Sequence, residues 1–194
     1  NEHKDFEDYK RCKGLLFQQC RLGIANADDR YFKDVFKNAT CKVETFGFCK
    51  EADLRAEDVN LVSRPGYLGV AYHVAGVMDF DVEIDVPGTF SVYNSLTAIA
   101  VCRHFDVPKE HIQAALKKAK VKGRIEMVKV SDEFTLMIDY AHNAMSLESL
   151  LCTLRDYHPK RIVTIFGCGG NRSRTRRFEM GAVSYTHLRA HETD

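Results

Sequence analysis

Phe134-Thr135-Leu136-Met137-Ile138-Asp139-Tyr140-Ala141-His142 opens the stretch on which the fold turns, and Ile162-Val163-Thr164-Ile165-Phe166-Gly167-Cys168-Gly169-Gly170-Asn171-Arg172 closes it. Between them, Leu147, Leu150, Leu151 and Leu154 recur at i, i+3, i+4 and i+7, the spacing of one helix face. The order reads as strand, helix, strand. Such a crossover is right-handed and leaves its two strands parallel, so their carboxyl ends share one edge of an α/β sheet. Asp139, His142 and the glycine-rich loop are expected at that edge, where open α/β sheets bind ligands.

Upstream of this unit, strands are expected from Ile125 to Val130, after a basic run from Lys117 to Lys122 that ends at Gly123. The run reads as a solvated helix end, with cations at the C-terminal dipole, and marks a domain boundary between 122 and 123. Pro108 opens the helix before it, with Ile112, Ala115, Leu116 and Ala119 on one face. Another helix follows Pro87-Gly88 and carries Tyr93, Leu96, Ile99, Ala100 and Phe105. Between Cys41 and Asp85, Val59-Leu61-Ser63, Leu68-Val70-Tyr72-Val74 and Phe80-Val82-Ile84 alternate at period two, with turns at Pro65-Gly66 and Ala75-Gly76. This predicts an antiparallel meander.

Leu22 to Asn26 reads as a buried strand, and Ala27-Asp28-Asp29 as the start of a helix whose apolar side is Phe32, Val35 and Phe36. The first predicted helix runs from Lys4 to Cys20, with Phe6, Tyr9, Leu16, Phe17 and Cys20 in one stripe. Lys13 lies in that stripe. A lysine there either snorkels to solvent or sits in a poorly solvated cleft, where its pKa falls and the neutral amine becomes reactive.

The bulk numbers exclude several classes. At 194 residues the chain holds one domain or two small ones. A net charge of +1 gives no general attraction to nucleic acid or membrane, and no apolar run is long enough to span a bilayer. Seven cysteines, with no C-x-x-C pair, read as reduced, buried thiols of a cytoplasmic protein. Residues 183–194 show no useful periodicity, read as a non-native tail, and are set aside. His187 and His191 at i, i+4 lack a third metal ligand and are taken as coincidence. G-x-G-x-x-G would require glycine at 172, where arginine stands, which argues against nicotinamide chemistry.

Four pieces in order resemble the Mur ligase family of ATP-dependent amide-forming enzymes in peptidoglycan synthesis. They are His3 through Phe17, Gly88-Thr89-Phe90-Ser91-Val92-Tyr93-Asn94, Gly123-Arg124-Ile125-Glu126, and Asp139-Tyr140-Ala141-His142 with Phe166 to Gly181. The resemblance is to the branch that adds a diamino acid, lysine or meso-diaminopimelate, to UDP-MurNAc-L-Ala-D-Glu. It implies an α/β fold: the later part of a central ATPase domain over 1–122, then the first half of a Rossmann-like ligand domain over 123–182. It also implies a cytoplasmic monomer without nucleic-acid or membrane partners.

On this resemblance, Lys13 matches a carbamylated lysine that holds Mg²⁺, and His142 lies near the phosphates of ATP. Asn94 matches an adenine contact, Arg124 a nucleotide-reaching arginine at the domain junction, and Asp139 the carboxylate that accepts from the ribose hydroxyls. Arg172 matches the arginine that grips the carboxylate of the incoming amino acid. The reaction implied runs through an acyl phosphate, attacked by the amine of that amino acid. The chain departs from the family at Ser91, where asparagine is common, and at Asn171, where aspartate is frequent. No G-x-x-x-x-G-K-[ST] phosphate loop occurs. The resemblance places that loop ahead of residue 1 and an Asp-Asn-Pro-Arg segment after Gly181, so a fragment inactive by itself is expected. A folylpolyglutamate-type or cyanophycin-type ligase, and a non-catalytic regulatory relative, are the competing readings.

Overall fold

Alternation at period two does produce the strands it predicts. Val70, Tyr72 and Val74 are buried along one strand, and Phe80, Val82 and Ile84 along the next. The structure is a computed structural model that describes residues 3–64, 66–128, 130–131, 133–168 and 174–188. By its contacts the chain divides into two units: 1–60, 71–84 and 90–118 form one, and 61–70, 85–89 and 119–194 form the other.

The main sheet has five strands in the order β1-β2-β3-β4-β5: β1 (Leu22–Asn26), β2 (Lys42–Gly47), β3 (Leu54–Arg64), β4 (Tyr67–Gly76) and β5 (Phe80–Ile84). β1 and β2 are parallel, from Leu22 opposite Lys42 to Asn26 opposite Phe46. β2 is also parallel to β3, with Phe46 opposite Leu54 and Gly47 opposite Arg55. The antiparallel meander expected from Cys41 onward therefore needs correction at β2. The links 65–66 and 77–79 are too short for a crossover, so β3, β4 and β5 run antiparallel in turn. Alternation reports which face of a strand is buried; it carries no information on the direction of the neighbour.

In the first unit, α3 (Thr89–Arg103) buries Val92, Leu96, Ile99 and Ala100, and the Tyr72 hydroxyl meets Ser95 Oγ at 2.7 Å. α4 (Lys109–Lys118) packs on β5 through Ile112. α1 (Phe6–Leu15) is shorter than the helix expected from 4 to 20, because the chain tightens into a 3-10 turn over Leu16–Gln18. α2 (Phe32–Phe36) is a single short helix. Asp28 does not begin it; residues 27–28 form a turn. α1 and α2 meet closely at Gly14, where a Cβ would stand 2.8 Å from the Val35 carbonyl oxygen.

In the second unit, β6 (Glu126–Val128) pairs antiparallel with β7 (Leu136–Ile138). α5 (Ala144–Arg155) is capped by Asn143, whose side chain accepts from the Ser146 N–H. α5 and α6 (Arg174–Leu188) pack through Leu147, Leu151 and Met180, with Ala141, Ile162, Cys168 and Val183 around them. One expectation is corrected here. Residues 162–166 form no strand and so make no parallel partner for β7; Val163 is 68% exposed and Ile165 94%. An apolar run becomes a strand only when a neighbour takes its N–H and C=O groups, and β7 is paired with β6. α6 continues to Leu188, with Val183 against the cluster and Ser184 buried.

Candidate functional site

The Gly123-Arg124-Ile125-Glu126 segment leads into β6, and Asp139 follows the end of β7, so the antiparallel pair brings both to one place. Asp139 Oδ2 accepts from the Ile125 N–H at 2.9 Å and Oδ1 from the Ala141 N–H at 2.7 Å. A carboxylate offers about four acceptor sites, so lone pairs remain on both oxygens for a ligand hydroxyl. Ile125 has φ of +46°, a left-handed conformation that a β-branched residue rarely adopts. Such strain persists where surrounding contacts over-determine it, often at functional sites. The contacts here are the Asp139 carboxylate and a turn closed by Arg124 N–H to the Val121 carbonyl at 3.0 Å and Gly123 N–H to Glu126 Oε2 at 2.7 Å. Sequence reasoning missed Glu126 as a builder of this turn. Its spacing of three from a glycine was the available signal.

The Arg124 guanidinium lies 5.6 Å from the Tyr140 ring centroid, and the Tyr140 ring 5.1 Å from that of His142. His142 Nδ1 donates to the Tyr140 carbonyl oxygen at 3.1 Å. A carbonyl only accepts, so Nδ1 carries the proton and Nε2 is left for a ligand. Arg124, Tyr140 and His142 are exposed and Asp139 is half-buried. The cavity beside Arg124, lined also by Asp85, Lys120 and Glu126, has about 10 Å³, room for a single water.

The structure thus brings together Arg124, Asp139 and His142. Lys13 and Asn94 belong to the other unit. Asn94 is exposed inside α3 and caps nothing. Ahead of it, Tyr93 donates its hydroxyl to Asp28 at 3.0 Å, and Asp28 also accepts from the N–H groups of Phe48 at 2.6 Å and Cys49 at 3.1 Å. Burial pushes the Asp28 carboxyl up, but these hydrogen bonds outweigh it and hold the group below the usual carboxylate range. Burial, then the hydrogen bond with Asp28, pushes the Tyr93 hydroxyl up to about 12. Asp28 therefore anchors the start of α3 to the end of β2.

Lys13 takes the solvent-facing one of the two placements that its stripe left open. It is exposed, with Nζ 5.3 Å from the Tyr9 ring centroid. The enclosed lysine is Lys10, whose side chain is 11% exposed and paired with Glu7 at 2.8 Å and Asp34 at 2.9 Å. The helix turned so that Lys10, not Lys13, faces α2. His3, Asp8 and Cys12 bring possible metal ligands within 4.8 Å of one another. Arg11 already supplies a cation there, 2.6 Å from Asp8 Oδ1. Arg172, with Gly169 to Asn171, lies outside the described residues.

Comparison with known proteins follows the two halves of the chain. Residues 1–102 match the Mur ligase middle domain, and residues 123–192 match the glutamate ligase domain of Mur ligases. The UDP-N-acetylmuramoyl-L-alanyl-D-glutamate–2,6-diaminopimelate ligase 1 of Clostridium acetobutylicum is 36% identical over 184 residues, which is 93% of this chain and 38% of that protein. The corresponding ligase of Alkaliphilus oremlandii is 35% identical over 94% of this chain and 38% of its own length. The chain spans well under half the length of these relatives. A solved structure of a ligase of the same name superposes with a TM-score of 0.67 at 25% identity, covering 96% of this chain and 39% of that one. UDP-N-acetylmuramate–alanine ligase from Thermotoga maritima superposes at 0.70 with 20% identity over 93% of this chain and 39% of that one, a likeness of fold.

Proposed function

The chain belongs to the Mur ligase family, and from that premise we propose that it serves ATP-dependent formation of an amide bond on a peptidoglycan precursor. The acceptor is UDP-MurNAc-L-Ala-D-Glu, the incoming amine is a diamino acid, and the compartment is the cytoplasm. The observation that carries this reading is the likeness, over more than nine-tenths of the chain, to ligases named for diaminopimelate addition. That likeness favours diaminopimelate over lysine. We assign residues 1–122 to the central domain and 123–182 to the ligand domain.

The donor set around Asp139 fits a nucleotide. Asp139 keeps lone pairs for ribose hydroxyls, and Arg124 presents an exposed guanidinium, the planar fork that suits phosphate. His142 offers Nε2 to the phosphates, and Asn94 the adenine contact. Arg172 grips the carboxylate of the diamino acid. ATP supplies the phosphoryl group that turns a poor acyl donor, a carboxylate, into an acyl phosphate. The residues of this chain supply position and charge, which is most of what phosphoryl transfer asks of a protein.

Magnesium fits one form of Lys13 only. The free ammonium has no lone pair, whereas a carbamate on the same nitrogen would offer the oxygen donors Mg²⁺ takes. We propose that Lys13 is carbamylated in the working enzyme. Its exposure leaves the amine open to carbon dioxide.

The deciding experiment is an acceptor assay on the full-length protein: phosphate release with ATP, UDP-MurNAc-dipeptide and diaminopimelate, lysine or glutamate. Stimulation by a diamino acid is the expected result. Stimulation only by glutamate with a folate acceptor would replace this reading with the folylpolyglutamate one. Nothing in these 194 residues matches a phosphate-cradling loop, and we propose that the isolated chain does not ligate.

A further inference from the structure

Carboxylates hold the backbone on either side of Arg124. Ahead of it, the Gly123 N–H donates to Glu126 Oε2 at 2.7 Å; after it, the Ile125 N–H donates to Asp139 Oδ2 at 2.9 Å. Both carboxylates stand on a fixed base. Glu126 opens β6 opposite Ile138, and Asp139 follows Ile138 at the end of β7. The turn is closed by the Arg124 N–H to the Val121 carbonyl at 3.0 Å. Its entry is tied down as well, since Lys120 Nζ lies 3.3 Å from Asp85 Oδ2.

These restraints oppose a strain. Gly123 takes its φ of +71° freely, but Ile125 at +46° does not. The Ile125 side chain is buried, so it cannot swing out to relieve the turn. The cavity beside it, lined also by Val121 and Met127, has room for one water only, so the turn cannot relax inward. A loosened turn therefore relaxes toward solvent, and the exposed Arg124 goes with it. A hydrogen bond to an ionised acceptor is about twice as strong as a neutral one, which suits the Glu126 carboxylate to hold a strained turn. A carboxylate would repel a phosphate, so the place of Glu126 beside Arg124 is explained by the backbone it grips.

We propose that Glu126 is a positioning residue for the nucleotide: it fixes the 121–125 turn in the form that presents the Arg124 guanidinium to ATP. This rests on the reading of Arg124 as a nucleotide contact. Without the Glu126 bond the presenting form becomes one of several, and the apparent affinity for ATP falls by the fraction that remains. Saturating ATP gathers the presenting form again, so kcat is kept while KM rises.

Steady-state kinetics of the full-length protein test this, with ATP varied and the other substrates saturating. Glu126→Ala is expected to raise KM for ATP roughly tenfold, the fold-change of one lost charge-assisted hydrogen bond, with kcat little changed. Glu126→Gln keeps an oxygen at the same reach and should recover most of that loss. Glu126→Asp keeps the charge but falls a methylene short of the Gly123 N–H, and should resemble Glu126→Ala. On an Arg124→Ala background, which itself should weaken ATP, Glu126→Ala should add nothing. An unchanged KM in Glu126→Ala, a loss in kcat alone, a Glu126→Asp that matches wild type, or full additivity with Arg124→Ala overturns the proposal. If instead Arg124→Ala leaves KM for ATP unchanged, the nucleotide reading of Arg124 fails and the proposal falls with it. Glu126→Gln and Glu126→Asp decide the matter even where Glu126→Ala fails to fold.

Discussion

Lys13 carries the sharpest prediction at the scale of single residues. If its carbamate stabilises charge during phosphoryl transfer, Lys13→Ala in the full-length protein should lower kcat by about 10²–10³-fold, the usual cost of losing one electrostatic stabiliser. Steady-state phosphate release measures it, and unchanged turnover would remove Lys13 from the site. His73 gives a pH signature. Its Nδ1 lies 2.9 Å from Asp81 Oδ1, and that hydrogen bond raises its pKa, with Asp79 and Glu57 adding to the effect. A histidine whose folded pKa lies above its unfolded value contributes stability that is full below the unfolded pKa and is lost as pH rises through the folded one. Chemical denaturation of the chain should therefore show stability declining as pH rises above about 6.5. In Asp81→Asn that decline should shrink; an unchanged slope would assign it elsewhere.

Among the elements, two sites separate local strain from crowding. Gly66 (φ +71°) and Gly76 (φ +105°) both adopt left-handed backbone, but only Gly76 is enclosed: a Cβ there would stand 2.1 Å from the Asp53 carbonyl oxygen, while Gly66 faces open space. Gly66→Ala should cost about 1–2 kcal/mol, the left-handed penalty alone. Gly76→Ala should cost more, because the Asp53 carbonyl also holds the Val77 N–H at 2.9 Å and cannot withdraw freely. Urea midpoints of the two variants compare them directly. The second case is Glu44, 3% exposed on β2 and paired with Arg103 and His104 at the end of α3. Arg103→Leu leaves a buried carboxylate with only His104 and should cost about 3 kcal/mol. Glu44→Gln should cost less, since the partly exposed Arg103 can turn to water. Equal losses would mean that packing, not charge, holds the contact.

For the whole molecule, the expected outcome is acceptor specificity: in the full-length protein, ATP turnover should depend on UDP-MurNAc-dipeptide and rise with diaminopimelate more than with lysine. Coupled ADP release reads this directly, and turnover without any acceptor dependence would favour a non-ligase role. The sequence made the parts of this molecule legible. Leucines at helical spacing put α5 where it is, the period-two runs became β4 and β5, and Asp139-Tyr140-Ala141-His142 marked a site whose carboxylate the structure then holds with two backbone N–H groups. Local pattern records which face of an element is buried. Who the partner is, and in which direction it runs, depends on residues far along the chain. So β2 lies parallel to both neighbours, β7 pairs with β6 while 162–166 stays outside any strand, and Lys10, not Lys13, takes the enclosed place. The sequence by itself determined the helices α3, α4 and α5 and the period-two strands β4 and β5, because those follow from spacing and side-chain identity. Only the tertiary structure decided the pairings and the exposure of Lys13, because these arise where hydrogen bonds and packing surfaces distant in sequence compete for one another.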